Sequence, residues 1–238
     1  MEYADLRESV FEANRALVRE GLVTLTWGNA SGADRTAGVI AIKPSGVEYD
    51  AMRPEDVVIL SLETGRPVRG AMRPSSDAPT HLHLYRHFAG VNGVVHTHSS
   101  FATAWAQAAR EIPCLGTTHA DHFHGPVPVV RPLTPAEIQG DYEANTGAAI
   151  VDTFSGRGID PLARPAALVP GHGPFAWGAT VRKAVENAVA LEAVARMAVW
   201  TRFVGGDAGP LDPVLLDRHF LRKHGSGAYY GQPGGGTP

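Results

Sequence analysis

The sequence predicts an α/β chain folded as one domain, and three observations carry that expectation. Segments with apolar residues every third or fourth position alternate with short apolar runs. Gly, Pro, Asn and Asp punctuate the joins between them. A length of 238 residues with 44% hydrophobic content is enough for one large core, and no convincing linker or internal repeat divides it.

The opening segment places Leu6, Val10, Ala13, Leu17 and Val18 at helical spacing, with Gly21 as a stop, which predicts a helix of about five turns. Residues 22–25, 39–42 and 57–62 read as strands, and Glu63-Thr64-Gly65-Arg66 as a hairpin turn. A helix is expected over residues 78–88, then a strand through Val94-Val95-His96-Thr97-His98. Ser99 or Ser100 would cap a helix over residues 101–109. Residues 127–130 read as a strand, 134–154 as a helix, and 166–169 as a strand ending in Gly171-His172-Gly173. The chain then commits to one helix over residues 180–203, whose broad face of small and branched side chains predicts deep burial. A short helix over residues 213–223 and a Gly-rich tail follow. Residues 1–232 form the expected domain, and residues 233–238 read as disordered.

Twenty-one Lys and Arg against 24 Asp and Glu leave no strongly basic surface, so nucleic acid is not an expected partner. The single cysteine, Cys114, excludes an internal disulfide and a Cys-based zinc module. No segment reads as a signal peptide or a membrane span, and the expected address is the cytoplasm.

Chemistry therefore rests on histidine. Alternate residues of a strand share a face, so His96 and His98 present two imidazoles about 6 to 7 Å apart along the chain. A third imidazole would complete three protein ligands and leave a position open on zinc, the arrangement of catalytic sites. His172, between two glycines, is the candidate, and Asp77, just before a helix, offers a carboxylate. His81, His83, His87, His219 and His224 read as solvated or locally hydrogen bonded.

Three segments carry the chemistry of an anion site: Thr26-Trp27-Gly28-Asn29, Lys43-Pro44-Ser45-Gly46 and Arg73-Pro74-Ser75-Ser76-Asp77. Each sets backbone N–H groups beside a hydroxyl or amide donor, and Lys43 adds a positive charge. With no Walker sequence and no G-x-G-x-x-G, the phosphate is expected on the substrate rather than on a nucleotide cofactor.

These three segments, with His96-Thr97-His98-Ser99, Gly171-His172-Gly173 and the Tyr229-Tyr230-Gly231-Gln232 tail, resemble the class II aldolase and epimerase family over about residues 6–232. Thr117-Thr118-His119-Ala120-Asp121 and Arg222-Lys223-His224-Gly225 resemble its epimerase branch. The resemblance implies a three-layer α/β/α fold around a largely antiparallel sheet, assembled as a homotetramer with active sites between subunits. It implies Zn2+, or another divalent cation such as Mn2+ or Co2+, held by His96, His98 and His172, with Asp77 beside it as a further ligand or a metal-site acid. The phosphate of a pentulose substrate would be held by Gly28, Asn29, Ser45, Gly46, Ser75 and Ser76, beside the positive charge already read at Lys43. Asp121 and Tyr230 would be the two proton-transfer groups, Tyr230 serving a neighbour's site, with Thr117 and Glu143 as further positions of interest. The implied reaction is carbon–carbon cleavage and re-addition within carbohydrate metabolism of the arabinose type. Asp77, where the sister aldolases carry a glutamate, favours the epimerase over an aldolase. The intact histidines argue against a noncatalytic, adducin-like role. One departure is His122 and His124, where the epimerases more usually carry tyrosines.

Overall fold

The computed structural model describes residues 3–69, 71–206 and 208–230; the expected tail over residues 233–238 lies outside the described residues. Seven strands, β1 (Asn29–Asp34), β2 (Val39–Ile42), β3 (Val58–Ser61), β4 (Pro67–Arg69), β5 (Gly93–His96), β6 (Ala166–Val169) and β7 (Gly173–Gly178), form one sheet in the order β4-β3-β2-β1-β5-β7-β6. Every neighbouring pair is antiparallel. The helices are α1 (Ala4–Arg19), α2 (Ala78–His87), α3 (Ser100–Gln107), α4 (Thr117–Ala120), α5 (Pro135–Gln139), α6 (Tyr142–Gly156), α7 (Val181–Gly205) and α8 (Pro213–His224).

Strand alternation sorts the core into two layers. Val39, Ala41, Ile59, Val95 and Ala176 face α1, α3 and α7, while Ile40, Ile42, Leu60, Val94, Phe175 and Trp177 face α2 and α6. With helices on both faces, the sheet is the middle of the expected α/β/α sandwich. The long helix carries buried residues from Val181 to Ala198, as its sequence predicts.

Several local expectations are corrected. Residues 22–25 form no strand: Leu22 N–H closes back on Leu17 O and Leu25 adopts φ 52°. The first strand is Asn29–Asp34, whose small polar residues read as a loop; Asn14 satisfies both the N–H and the C=O of Ala30 where pairing with β2 has run out. Residues 127–130 make only isolated bridges. The helix over 134–154 breaks at Gly140 into α5 and α6. Strand β7, missed because it opens Gly-Pro, lies between β5 and β6. Neither serine caps α3 through its side chain; the Glu192 carboxylate instead accepts from Phe101 N and Ala102 N, both at 2.9 Å.

Candidate metal centre and anion pocket

Antiparallel register brings distant residues to one end of the sheet. Asn29 at the start of β1 pairs with His96 at the end of β5, and His96 pairs with Phe175 of β7, three residues after His172. Ladder pairing of β5 ends at His96, so His98 lies just past the strand rather than within it. Gly28 holds the entry to β1 at φ +94°, and a Cβ there would stand 2.7 Å from His96 O. Asp77 occupies the N-terminal boundary of α2.

The result is a pocket of about 350 Å³ lined by all the residues expected for metal and phosphate, together with Thr26, Trp27 and Pro44. On one side, the candidate ligand atoms of His96, His98 and His172 lie within 4.8 Å of one another. His96 is buried, and its Nδ1–H donates to Pro174 O at 3.0 Å, which aims the Nε2 lone pair away from that carbonyl. That Nε2 stands 3.1 Å from His98 Nε2. Burial pushes His96 down to about 3, and burial likewise lowers His98 and His172, so all three are neutral donors at neutral pH. Three neutral imidazoles converging on one point fit a divalent transition metal.

Asp77 is not brought into that set of three. Its Oδ2 accepts from Asn29 Nδ2 at 2.6 Å. Burial raises its pKa, but the fields of His96 and His81 and the Asn29 hydrogen bond outweigh this, and the carboxyl is held below its usual range. It is an anion beside the histidines.

Two of the anion-site segments are clipped together: Ser45 N–H donates to Arg73 O and Ser75 N–H to Lys43 O, both at 2.9 Å. Those amides are spent. The N–H groups of Gly28, Gly46 and Ser76 have no protein acceptor among the described residues and are free for an anion. Lys43 lines the same pocket and is buried, its ammonium donating to Val47 O at 2.6 Å and Pro44 O at 3.3 Å and lying 4.7 Å from the Tyr49 ring centre. Burial lowers its pKa to about 8.

Asp121 and Tyr230 come together elsewhere and neither lines this pocket. Arg222 grips both Asp121 oxygens, at 3.0 and 2.8 Å from one nitrogen; His219 Nδ1 is 3.1 Å and Lys223 Nζ 3.5 Å away. Burial raises the Asp121 pKa, but Arg222, His219 and Lys223 more than offset it, and the net shift is downward. The Arg222 and Lys223 cations lie 5.0 and 4.5 Å from the Tyr230 ring centre, and Tyr230 is 62% exposed. Sequence reasoning therefore misread His219 and His224: one grips the Asp121 carboxylate and the other donates to its carbonyl at 3.0 Å. His81, read as solvated or locally hydrogen bonded, is fully buried and bonds Ser31, fifty residues away in the chain. Tyr142 is a further neighbour that no motif marked; its hydroxyl is 3.3 Å from His172 Nδ1, reached only because Gly140 restarts the chain as α6. Thr117 begins α4, four residues before Asp121, and the Glu143 carbonyl accepts from Thr80 Oγ1 at 2.6 Å.

Comparison with known proteins agrees with this geometry. Residues 8–199 match the family described as Class II Aldolase and Adducin N-terminal domain. The chain is 52% identical over 227 residues to L-ribulose-5-phosphate 4-epimerase UlaF of Salmonella paratyphi A, covering 95% of this chain and 98% of that one, and matches the Salmonella typhi protein of the same name equally. Among solved structures, an L-fuculose 1-phosphate aldolase superposes with a TM-score of 0.76 at 22% identity, over 90% of this chain and 94% of that one. The L-fuculose-1-phosphate aldolase of Thermus thermophilus gives 0.66 at 25% identity, over 87% and 98%. No helix among the described residues is long and apolar enough to cross a membrane. By the family match and the identity together, this chain belongs to the class II aldolase and adducin N-terminal domain family.

Proposed function

We propose that this chain is a metal-dependent epimerase interconverting L-ribulose 5-phosphate and D-xylulose 5-phosphate. The observation that carries this reading is the 52% identity across 95% of the chain to UlaF, because the pocket geometry alone suits an aldolase equally. His96, His98 and His172 would hold the ion, Zn2+ or a similar divalent cation, with Asp77 as the carboxylate beside it. Bound there, such an ion supplies Lewis acidity to the oxygens of the sugar without proton transfer.

The C4 hydrogen of a 2-ketopentose is not acidic, so inversion proceeds by breaking a carbon bond. The C4 hydroxyl gives up its proton, the C3–C4 bond breaks, and its electron pair passes into an enediolate of carbons 1 to 3. The other product is glycolaldehyde phosphate. The free amides of Gly28, Gly46 and Ser76, with Lys43 and the serine hydroxyls, keep the phosphate anchored while the aldehyde turns. C3 then adds to the opposite carbonyl face, and the new C4 oxygen takes a proton. Two proton-transfer groups on opposite faces are required, and Asp121 and Tyr230 fill those roles.

Because both lie outside the pocket of their own chain, they serve a neighbouring subunit of a homotetramer in this reading. The end of α7 supports association: Trp200, Phe203 and Val204 are 53%, 82% and 86% exposed. The cytoplasm is the proposed compartment.

The test is incubation of metal-replete protein with L-ribulose 5-phosphate, followed by NMR with and without a chelator. Chelator-sensitive D-xylulose 5-phosphate is expected. Accumulation of free glycolaldehyde phosphate would reassign the chain to the aldolases.

A further inference from the structure

Helix α2 is tied to strand β1 by two polar contacts that run side by side. Asn29 Nδ2 donates to Asp77 Oδ2 at 2.6 Å, and Ser31 Oγ lies 2.7 Å from His81 Nδ1. Two residues of strand advance about 6.8 Å and four residues of helix about 6 Å, so the contacts form two nearly parallel rungs between the same pair of elements. The inner rung is rigid: Ser31, His81 and Tyr85 are all fully buried, and Tyr85 OH is 2.7 Å from Ser31 Oγ. His81 also meets Phe175 edge to face, and Phe175 in turn stacks on His96 at 4.3 Å between centroids and lies edge to face with His172.

Each rung leaves one polar atom over. His81 Nε2 and Asn29 Oδ1 are both buried and both without a protein partner. Asn29 and Ser31 share one face of β1, as Asp77 and His81 share one face of α2. Imidazole nitrogen and amide oxygen are complementary through one water, which both donates and accepts, and a buried polar site of this kind is where internal water resides.

We propose that His81 is a positioning residue for the pocket: through one internal water between its Nε2 and Asn29 Oδ1, it fixes the Asn29 amide and hence the Asp77 carboxylate beside the histidines. The inference rests on reading Asp77 as the carboxylate of a metal site. His81 itself touches neither substrate nor ion. Its burial lowers its pKa to about 4, so it stays a neutral hydrogen-bonding group throughout the working range.

The two amide variants of His81 separate this role from mere packing. In His81→Asn the side-chain amide takes the place of Nδ1 and keeps Ser31; in His81→Gln it takes the place of Nε2 and keeps the link toward Asn29. Zinc affinity of the apo-protein is read by competition with a chelator, alongside kcat, KM and the melting temperature. Loss of an outer hydrogen-bonding partner at a metal site typically costs about tenfold or more. Accordingly His81→Asn should lose about tenfold in zinc affinity and in kcat at unchanged KM, while His81→Gln stays within about threefold of the unaltered protein. Equal losses in the two, losses that track melting temperature, or a more active Asn variant would overturn the inference. If neither variant folds, Ser31→Ala unties the ring from the sheet: a tenfold fall in zinc affinity supports the inference and an unchanged affinity overturns it. Absence of epimerase activity in the unaltered protein would defeat the proposed function alone, because the order of zinc affinities still reads the role of His81.

Discussion

Lys43 offers the sharpest test of the anion pocket, because burial moves its titration into an accessible range. Its pKa falls from 10.5 to about 8, so the ammonium dominates below pH 8 and is lost above it. If the charged form alone holds the substrate phosphate, roughly one molecule in two is competent at pH 8 and roughly one in eleven at pH 9. The value of kcat/KM, which reports free-enzyme groups, should then fall about fivefold from pH 8 to 9 and about fiftyfold by pH 10. The neighbouring Tyr49 does not confuse this limb, because burial pushes its hydroxyl well above its usual value. Lys43→Met removes a hydrogen bond to a charged group, about 1.5–3 kcal/mol, or roughly 10- to 150-fold in KM, and should flatten the alkaline limb. The same downward shift means that the fold disfavours the charged lysine, so this group's contribution to stability improves as pH rises from about 8 to about 10.5. A flat profile in the unaltered protein, or an equal fall in Lys43→Met, would refute the assignment of Lys43 to the phosphate.

His96→Ala should abolish zinc binding measured by plasma mass spectrometry, and retention of one equivalent per chain would remove His96 from the centre. Asp121→Asn should lower turnover with zinc retained; zinc loss would place that residue among the ligands instead. Arg222→Met breaks a two-oxygen grip on Asp121 and should lower the urea midpoint of unfolding; an unchanged midpoint would show that the grip contributes nothing to stability. The Asp121 pKa is depressed, so its contribution is present above about pH 4 and is lost as pH falls through the folded value; the variant should be less sensitive to acid. Gly28→Ala must place a Cβ 2.7 Å from His96 O at φ +94°, which should cost about 1–3 kcal/mol and weaken zinc binding; an unchanged melting temperature would show that the loop relaxes freely.

The sequence was informative wherever periodicity and burial agree. Helices α1, α2, α7 and α8 were legible because each carries one apolar stripe or face, and β2 and β6 because both their faces are buried in runs of Val, Ile, Leu and Ala. Strand β1 was not, since Asn29, Ser31 and Gly32 read as turn residues and are held in the sheet by β2 and β5 on either side. In β7 the Gly-Pro opening hid a strand whose Phe175 and Trp177 fill the core. Residues that gather at the pocket were visible as motifs, but their division of labour was not. That Ser45 and Ser75 spend their amides on each other's loops, and that His219 grips Asp121, depend on contacts between residues far apart in the chain, which no local pattern encodes.

Geometry also bears on why the proposed reaction retains its intermediate. Substrate phosphate would rest on loops clipped to each other by two backbone hydrogen bonds, at the end of a sheet buried on both faces. Asp121 and Tyr230 are organised separately, as one unit in which Arg222 and Lys223 hold the carboxylate and lie against the phenol ring. In the proposed mechanism, an anchor on clipped loops and a proton-transfer pair held apart from it would allow the aldehyde to present either face in turn.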